Sequence, residues 1–180
     1  MKKMLLGGML LLSATTLVAC SSSSTEKTTK KSDNTTQSSK KGLKLSFDDS
    51  YTFRKVDGDE WDDELDGLKV TVKQPYFKPN AYSEAGYDSY DEFIDYYPEF
   101  KGKNILVVPI KLKNNTSHYI DTPRCIVVDN NNTPLEYSYI DGVSEEIDGL
   151  EAGEEAETVD VYVATDFNPV SVAYGNKLWK

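Results

Sequence analysis

The sequence predicts an all-β fold for most of the chain, arranged as an antiparallel β-sandwich. Residues 68–73 and 158–164 alternate between apolar and polar side chains, as strands with one buried face do. Residues 104–113 carry apolar side chains on both faces at their start. The segments lie 10–25 residues apart without a helical crossover pattern between them, which favours antiparallel pairing over a parallel sheet.

The segment 104–113 is the strongest strand signal in the chain. Its first half is apolar on both faces, so we expect it to be buried on both sides there, before Lys111 and Lys113 turn one face polar. Pro109 lacks the N–H that a strand interior uses, so we expect it at a sheet edge or a bulge. Asn114 and Asn115 then predict a turn.

Three further strands are predicted from shorter patterns. Residues 124–129 and 135–140 flank an Asn-rich stretch, 130–134, that predicts a hairpin with a slightly long loop, because Asn tolerates left-handed backbone conformations. Residues 169–174 predict a last strand near the C-terminus.

One short helix interrupts the β pattern. Ser89 followed by Glu92 forms a capping-box pattern. Aromatic and apolar side chains then recur at helical spacing, at Tyr90, Phe93, Ile94 and Tyr97. Pro98 ends the predicted helix.

Composition limits the function classes. The 180 residues contain 30 acidic and 20 basic side chains, a net charge of −10, which argues against nucleic-acid binding. One histidine and two cysteines are too few for the common zinc sites. The length fits one ordinary domain. No nucleophile motif is present, so we expect a protein that is not an enzyme and holds no cofactor beyond a possible weak calcium ion.

The N-terminus has the pattern of a secretory leader. Lys2 and Lys3 precede an apolar run at 4–12 and small residues up to Ala19. The ending Leu17-Val18-Ala19-Cys20 resembles the bacterial lipobox. The resemblance implies that 1–19 is a lipoprotein signal peptide, that Cys20 receives diacylglycerol, and that the protein is lipid-anchored on the extracytoplasmic face of the cell membrane. The alternative is an ordinary signal peptide, with Cys20 incidental.

Residues 20–41 predict a disordered tether behind the lipidated cysteine. Twelve of residues 21–41 are Ser or Thr, and none is aromatic or aliphatic, so nothing offsets the entropy of ordering them. Five lysines against two acids give this tether a charge of +3. With the two leader lysines also set aside, the chain's −10 leaves −15 on the predicted domain, 42–180. The tether lysines either contact anionic headgroups or simply keep the linker soluble.

Three motifs resemble the immunoglobulin-like domain of Gram-positive surface lipoproteins, a family similar to a secreted mycobacterial immunoprotective antigen. They are Lys-Asn-Asn ending the segment 103–115, Val-Val-Asp at 127–129 before the Asn-rich turn, and Leu150-x-x-Gly153-Glu154 before the strand at 158–164. The resemblance covers about 66–175 and implies an immunoglobulin-like sandwich. The family has no assigned function, so it implies no catalytic residue. The Tyr-rich insertion at 76–100 departs from the pattern.

Two groups of side chains are candidate binding sites. Seven carboxylates fall within 57–67, and Asp57, Asp59, Asp62 and Asp63 are the candidate ligands of a weak calcium site, although the EF-hand spacing fails. The alternative is a solvated acidic loop. Six of the twelve tyrosines fall within 76–97. Of these, Tyr82, Tyr87, Tyr90 and Tyr96 are the candidate binding residues, with packing over one end of the sandwich as the alternative.

The two remaining chemically distinctive side chains favour structural roles. His118 follows a turn and is expected at the surface, and Cys125 lies in an apolar strand and is expected to be buried.

The leading hypothesis is therefore a membrane-anchored extracellular lipoprotein that presents a non-enzymatic binding module to an unknown protein or glycan. Interleaved carboxylates favour cationic or carbohydrate partners. The alternatives are a calcium-stabilised structural or envelope-stress lipoprotein and a phage-encoded superinfection-exclusion lipoprotein.

Overall fold

A computed structural model describes residues 43–55, 59–166 and 170–180. The chain divides into two units, Met1–Thr36 and Gln37–Lys180, and all described residues belong to the second. The predicted signal peptide (1–19), the lipid-accepting Cys20 and the predicted tether (20–41) lie outside the described residues.

The described residues form twelve strands and three short helices. The strands are β1 (Lys44–Leu45), β2 (Ser50–Thr52), β3 (Leu68–Val72), β4 (Tyr76–Phe77), β5 (Asn104–Asn114), β6 (Ile120–Asp121), β7 (Ile126–Val128), β8 (Glu136–Ser138), β9 (Gly149–Leu150), β10 (Glu155–Ala164), β11 (Ser171–Tyr174) and β12 (Lys177–Trp179). The helices are α1 (Glu60–Glu64), α2 (Ala81–Glu84) and α3 (Tyr90–Tyr96), and a 3₁₀ turn, Pro98–Phe100, follows α3.

Two sheets pack face to face. The larger has the strand order β2-β3-β5-β10-β8, with β4 also paired to β5, and the smaller has the order β1-β12-β11-β7. Strands β3-β5-β10-β8 and β7-β11-β12 correspond to the A-B-E-D and C-F-G sheets of an immunoglobulin-like domain. All pairings are antiparallel except that between β1 and β12, which is parallel. The predicted antiparallel, immunoglobulin-like sandwich is confirmed.

The larger sheet is buried on both faces over part of its width. Leu106 and Val108 of β5 face the core between the sheets. Ile105 and Val107 face a second apolar cluster on the outer side, together with side chains of α2, α3 and the turn after β8. The prediction that β5 is buried on both sides at its start is confirmed, and the helices form a third layer that covers it.

The expectation for Pro109 is wrong, because it lies in the middle of a central strand. Its carbonyl accepts a hydrogen bond from the Lys73 N–H at 2.9 Å, and in an antiparallel ladder the missing N–H points the same way. That direction leads to the break where β3 ends and β4 begins. On the other side Pro109 is opposite Val159, whose backbone bonds instead to Glu145. The missing N–H therefore forgoes at most one bond, to Lys73 at the end of the β3 ladder, and none on the β10 side.

The predicted hairpin at 130–134 forms only at its base. Val128 pairs with Pro134, and Asp129 organises the turn by accepting N–H bonds from Asn131 and Thr133 at 2.8 Å each. Beyond this point the strands separate, since β7 joins the smaller sheet and β8 the larger. The segment is therefore a crossover between sheets and not a continuous hairpin.

The predicted helix is present as α3. Ser89 caps it by accepting the Glu92 N–H at 3.2 Å, and the Glu92 carboxylate accepts the Asp88 N–H at 3.1 Å. One short helix is predicted from the sequence, whereas the described residues contain two more, α1 and α2. Helix α1 occupies the acidic segment expected to be a loop, where Asp59 accepts the Asp62 N–H and carboxylates in the first turn favour the helix dipole. None of the described helices is long and apolar enough to cross a membrane.

Candidate functional site

An aromatic cluster lies on the outer side of the larger sheet. Its base consists of Phe93 and Phe100, which are fully buried, with ring centroids 5.7 Å apart. They pack with Ile105 and Val107 of β5, so the cluster rests on the centre of the sheet. This arrangement follows from the helical spacing of α3, which places Phe93 on its inward face.

The four predicted binding tyrosines lie around this base but differ in exposure. Tyr96 is 69% exposed and Tyr90 is 38% exposed, whereas Tyr82 and Tyr87 are half-buried. The Tyr87 ring lies 5.2 Å from the Tyr96 ring and 5.7 Å from that of Phe93. Tyr87 therefore connects the buried base to the exposed ring, and the Tyr82 ring supports Tyr90 at 6.4 Å.

Hydroxyl groups fix the cluster in place. The Tyr90 hydroxyl donates to the Phe100 carbonyl at 2.8 Å, and the Tyr97 hydroxyl accepts the Asp141 N–H at 3.3 Å. Desolvation by the surrounding rings, followed by the effect of Tyr97, raises the pKa of Tyr87. Tyr87 thus stays a neutral hydrogen-bonding group at physiological pH. These hydrogen bonds tie Tyr90 and Tyr97 to the backbone, so the base of the aromatic cluster is held in place.

Carboxylates surround the exposed rings. The acidic side chains on and next to α3 are all exposed: Asp88, Asp91, Glu92 and Asp95. We call the exposed rings of Tyr90 and Tyr96, with these four carboxylates, the tyrosine surface. Aromatic faces flanked by hydrogen-bond acceptors can contact the C–H faces of a sugar or a cationic group while accepting hydrogen bonds from it.

The predicted calcium ligands do not converge in the described part of the acidic segment. Asp62 is buried and pairs with Lys177 at 3.2 Å, while Asp63 pairs with Lys55 at 3.0 Å. Asp59 caps α1 and accepts from the Asn176 amide. Asp57 lies outside the described residues.

No group of three His, Cys, Asp or Glu side chains within 43–55, 59–166 and 170–180 is arranged to hold a metal ion. The calcium site stays a prediction. A thermal melt compares millimolar calcium with EDTA, and an unchanged midpoint contradicts it.

A buried polar cluster was not predicted from the sequence. Cys125 is buried, as expected, and its thiol donates to Asp160 at 3.1 Å, while the Tyr162 hydroxyl donates to the Cys125 carbonyl at 2.6 Å. Burial, and then the Asp160 charge, raises the pKa of the Cys125 thiol well above its usual range. The thiol is therefore protonated and unreactive. Asp160 lies on the polar side of the alternating segment 158–164, so the alternation predicted an exposed carboxylate and no local pattern indicated this cluster.

A small cleft of about 90 Å³ reaches this cluster from the surface. Arg124 lies at its rim, where it pairs with Glu146 and stacks on the Tyr137 ring, with its guanidinium carbon 3.6 Å from the ring centroid. The buried Tyr174 hydroxyl lines the cleft without a hydrogen-bond partner among the described residues. The cleft is large enough to hold water. His118 does not line the cleft and is exposed, as expected.

Comparison with known proteins adds structural neighbours only. No protein-family model matches the sequence, and no curated protein sequence matches it significantly. Among solved structures, the chain is similar to a conserved hypothetical protein from Bacillus anthracis, at 20% identity and a TM-score of 0.43, over 71% of this chain and 92% of the other. It is also similar to an uncharacterised β-sandwich protein from Clostridium difficile 630, at 12% identity and a TM-score of 0.42, over 79% and 95% of the two chains.

Proposed function

We propose that this protein is a lipid-anchored lipoprotein of a Gram-positive cell surface and that its domain is a non-enzymatic binding module. The Cys20 lipobox pattern supports the anchor. The tyrosine surface supports the binding role. The Ser/Thr-rich stretch between them acts as a tether that lets the domain search its surroundings.

The observation that carries the binding role is the exposure of Tyr96 on a fixed base. Isolated exposed aromatic side chains are common, but here two exposed rings adjoin half-buried rings that the sandwich holds rigid. A partner that covers them loses less side-chain entropy than it would on free rings, since Tyr90 is tied by its hydroxyl to Phe100 and Tyr96 packs on Tyr87. Such surfaces are typical of recognition sites for proteins and glycans.

The carboxylates restrict the partner. Four exposed acids lie on or beside α3, and the domain as a whole carries −15. An anionic partner would be repelled from this surface, whereas a neutral sugar or a lysine-bearing protein would not. We therefore assign the tyrosine surface to a glycan or a cationic protein segment.

Binding is tested with two probes, an array of bacterial cell-wall glycans and poly-lysine. We expect Tyr96→Ser to abolish binding of the probe that the unchanged protein binds, while the thermal midpoint hardly moves; Tyr90 is left unchanged because its hydroxyl bonds to the Phe100 carbonyl. The matched control is Tyr119→Ser with Tyr139→Ser, because both rings are 47% exposed and lie outside the cluster. Equal loss in the control pair, or no binding of either probe by the unchanged protein, contradicts the assignment.

The anchor is tested separately. Mass spectrometry of the protein from its native membrane should show a diacylglycerol group on Cys20, and Cys20→Ala should release the protein into the medium. An unmodified cysteine, or a Cys20→Ala variant that stays in the membrane fraction, contradicts the lipoprotein proposal without affecting the binding proposal.

A further inference from the structure

A groove of about 300 Å³ lies on the outer face of the larger sheet, beyond the part that the helices cover. It is lined by four lysines from β5 and from β3 and its end, with two hydroxyl residues and two acids, and we call it the lysine groove. Its charged side chains are Lys69, Lys73, Lys111, Lys113, Asp48 and Glu155. Four lysines against the two lining acids leave a net charge of +2, which Glu157, opposite Lys111 on β10, reduces to +1.

The charge of the groove is opposite to that of the domain. Residues 42–180 contain 13 basic and 28 acidic side chains, and four of the 13 basic side chains line this one groove. Here the four lysines share two lining acids and Glu157, which lies opposite Lys111 on β10, so the groove is a local region of net positive charge.

The strand register places like charges against each other. Lys69 lies directly opposite Lys113 in the β3–β5 ladder, an arrangement that destabilises a sheet. Glu155 on the neighbouring β10 offsets part of this repulsion by pairing with Lys111 and, at 3.3 Å, with Lys113. Lys69 makes no ion pair with any residue in the described ranges. The sandwich thus retains an unfavourable pairing that an anionic ligand would relieve.

The floor of the groove offers a neutral donor as well. The Ser50 and Thr71 hydroxyl oxygens lie 2.7 Å apart, and Thr71 is only 8% exposed. One hydroxyl donates to the other, which leaves the hydrogen of the second available to an acceptor in the groove. Three of the lysine side chains around it are between 42% and 45% exposed, so their ammonium groups are accessible.

We infer that the lysine groove binds a phosphate-bearing anionic polymer. Ammonium groups and a hydroxyl donor match the oxygens of phosphate, which accept several hydrogen bonds at once. A single polymer strand contacts only the groove. An anionic membrane surface would also face the rest of a domain with a charge of −15, so the geometry favours the polymer over a lipid headgroup.

The test measures binding of a short fluorescent polyphosphate by anisotropy at several salt concentrations. All arms use the full chain with Cys20→Ser, which removes the proposed lipid acceptor. We expect Lys111→Gln with Lys113→Gln to weaken binding about tenfold and to reduce the salt slope by about 1 per lysine. Lys101→Gln with Lys103→Gln is the matched control, because these exposed lysines lie outside the groove.

A variant expected to bind polyphosphate more tightly distinguishes an effect on recognition from a loss of stability. Glu155→Gln removes the acid that occupies Lys111 and Lys113, so we expect it to tighten polyphosphate binding about two- to fivefold. A variant that is merely destabilised would bind more weakly. Three results would overturn the inference: no polyphosphate binding by the starting chain, equal weakening by the control pair, or binding to phosphatidylglycerol vesicles but not to polyphosphate.

Discussion

The buried ion pair between Lys177 and Asp62 holds helix α1 against the sandwich. The Lys177 ammonium lies 3.2 Å from one Asp62 oxygen and 3.3 Å from the other, and the two side chains are only 6% and 5% exposed. The same ammonium lies 5.0 Å from the Tyr51 ring centroid. We predict that Lys177→Met strongly destabilises the domain, because it leaves the Asp62 carboxylate buried without a countercharge.

The size of the effect follows from distance and burial. Two unit charges at this separation attract by about 5 kcal/mol at the effective dielectric constant of partly buried sites. Much of that offsets their desolvation, but removal of one partner leaves the other uncompensated and costs about 3–5 kcal/mol. For a domain of roughly 140 residues this corresponds to a fall of about 10–15 °C in thermal midpoint. Methionine keeps the length of the lysine stem, so lost packing contributes little.

The assay is thermal and urea unfolding followed by circular dichroism, with two comparisons. Lys55→Met breaks the pair with Asp63, which lies on the same helix as Asp62. The Lys55 and Asp63 side chains are 65% and 47% exposed, so we expect the free energy of unfolding to fall by less than about 1 kcal/mol. Lys177→Met combined with Asp62→Leu removes both charges and should recover most of the lost stability. The reasoning is refuted if Lys177→Met costs no more than Lys55→Met, or if the double variant is less stable than Lys177→Met alone.

Three more predictions concern buried polar groups. Asn114→Ala should lower the free energy of unfolding in urea by about 2–4 kcal/mol, because the buried Asn114 amide bonds to His118, Leu150 and Thr116. Asn115→Ala, at an exposed position, should lower it by less than about 0.5 kcal/mol. Cys125 should resist iodoacetamide at pH 8 until denaturant is added, and rapid native labelling would contradict its burial. Burial raises the folded-state pKa of Asp160, so the stability of the domain falls as pH rises from the ordinary carboxyl pKa through that raised value. Asp160→Asn should therefore have a higher thermal midpoint than the unchanged protein at pH 7, and the difference should disappear below about pH 4.

Long strands could be predicted from the sequence because their periodicity extends over enough residues. Strands β3, β5 and β10 were found this way, and the predicted burial of β5 on both sides at its start is confirmed. The strands β1, β4, β6 and β9 have two residues each, which is too few for any alternation. Their pairing depends on distant partners that only the folded chain brings together.

The acidic segment shows why charge patterns mislead. Seven carboxylates in eleven residues are typical of a solvated loop, yet Asp62 is 4% exposed. Its partner Lys177 lies 115 positions further along the chain, so no local pattern could identify the pair. Lys177 itself belongs to a three-residue strand, β12, that the sequence does not predict.

The sequence pattern distinguishes some of the candidate binding tyrosines by their expected exposure, but not all of them. The helical spacing placed Tyr90, Phe93 and Tyr97 on one stripe, which leaves Tyr96 off that stripe, and it is the most exposed of the four predicted tyrosines. Tyr87 lies between α2 and α3, where no periodicity applies, so its role as a support could not be assigned without the ring distances.

The tyrosine surface and the lysine groove occupy two ends of one sheet face, and this makes their assignments independent. Helices cover β5 around Val107, whereas the groove begins at Lys111, about 13 Å further along the strand. Tyrosine substitutions should therefore leave polyphosphate binding unchanged, and lysine substitutions should leave glycan or poly-lysine binding unchanged. If either set of substitutions abolished both activities, the common cause would be a change in the sheet, and neither surface would retain its assigned partner.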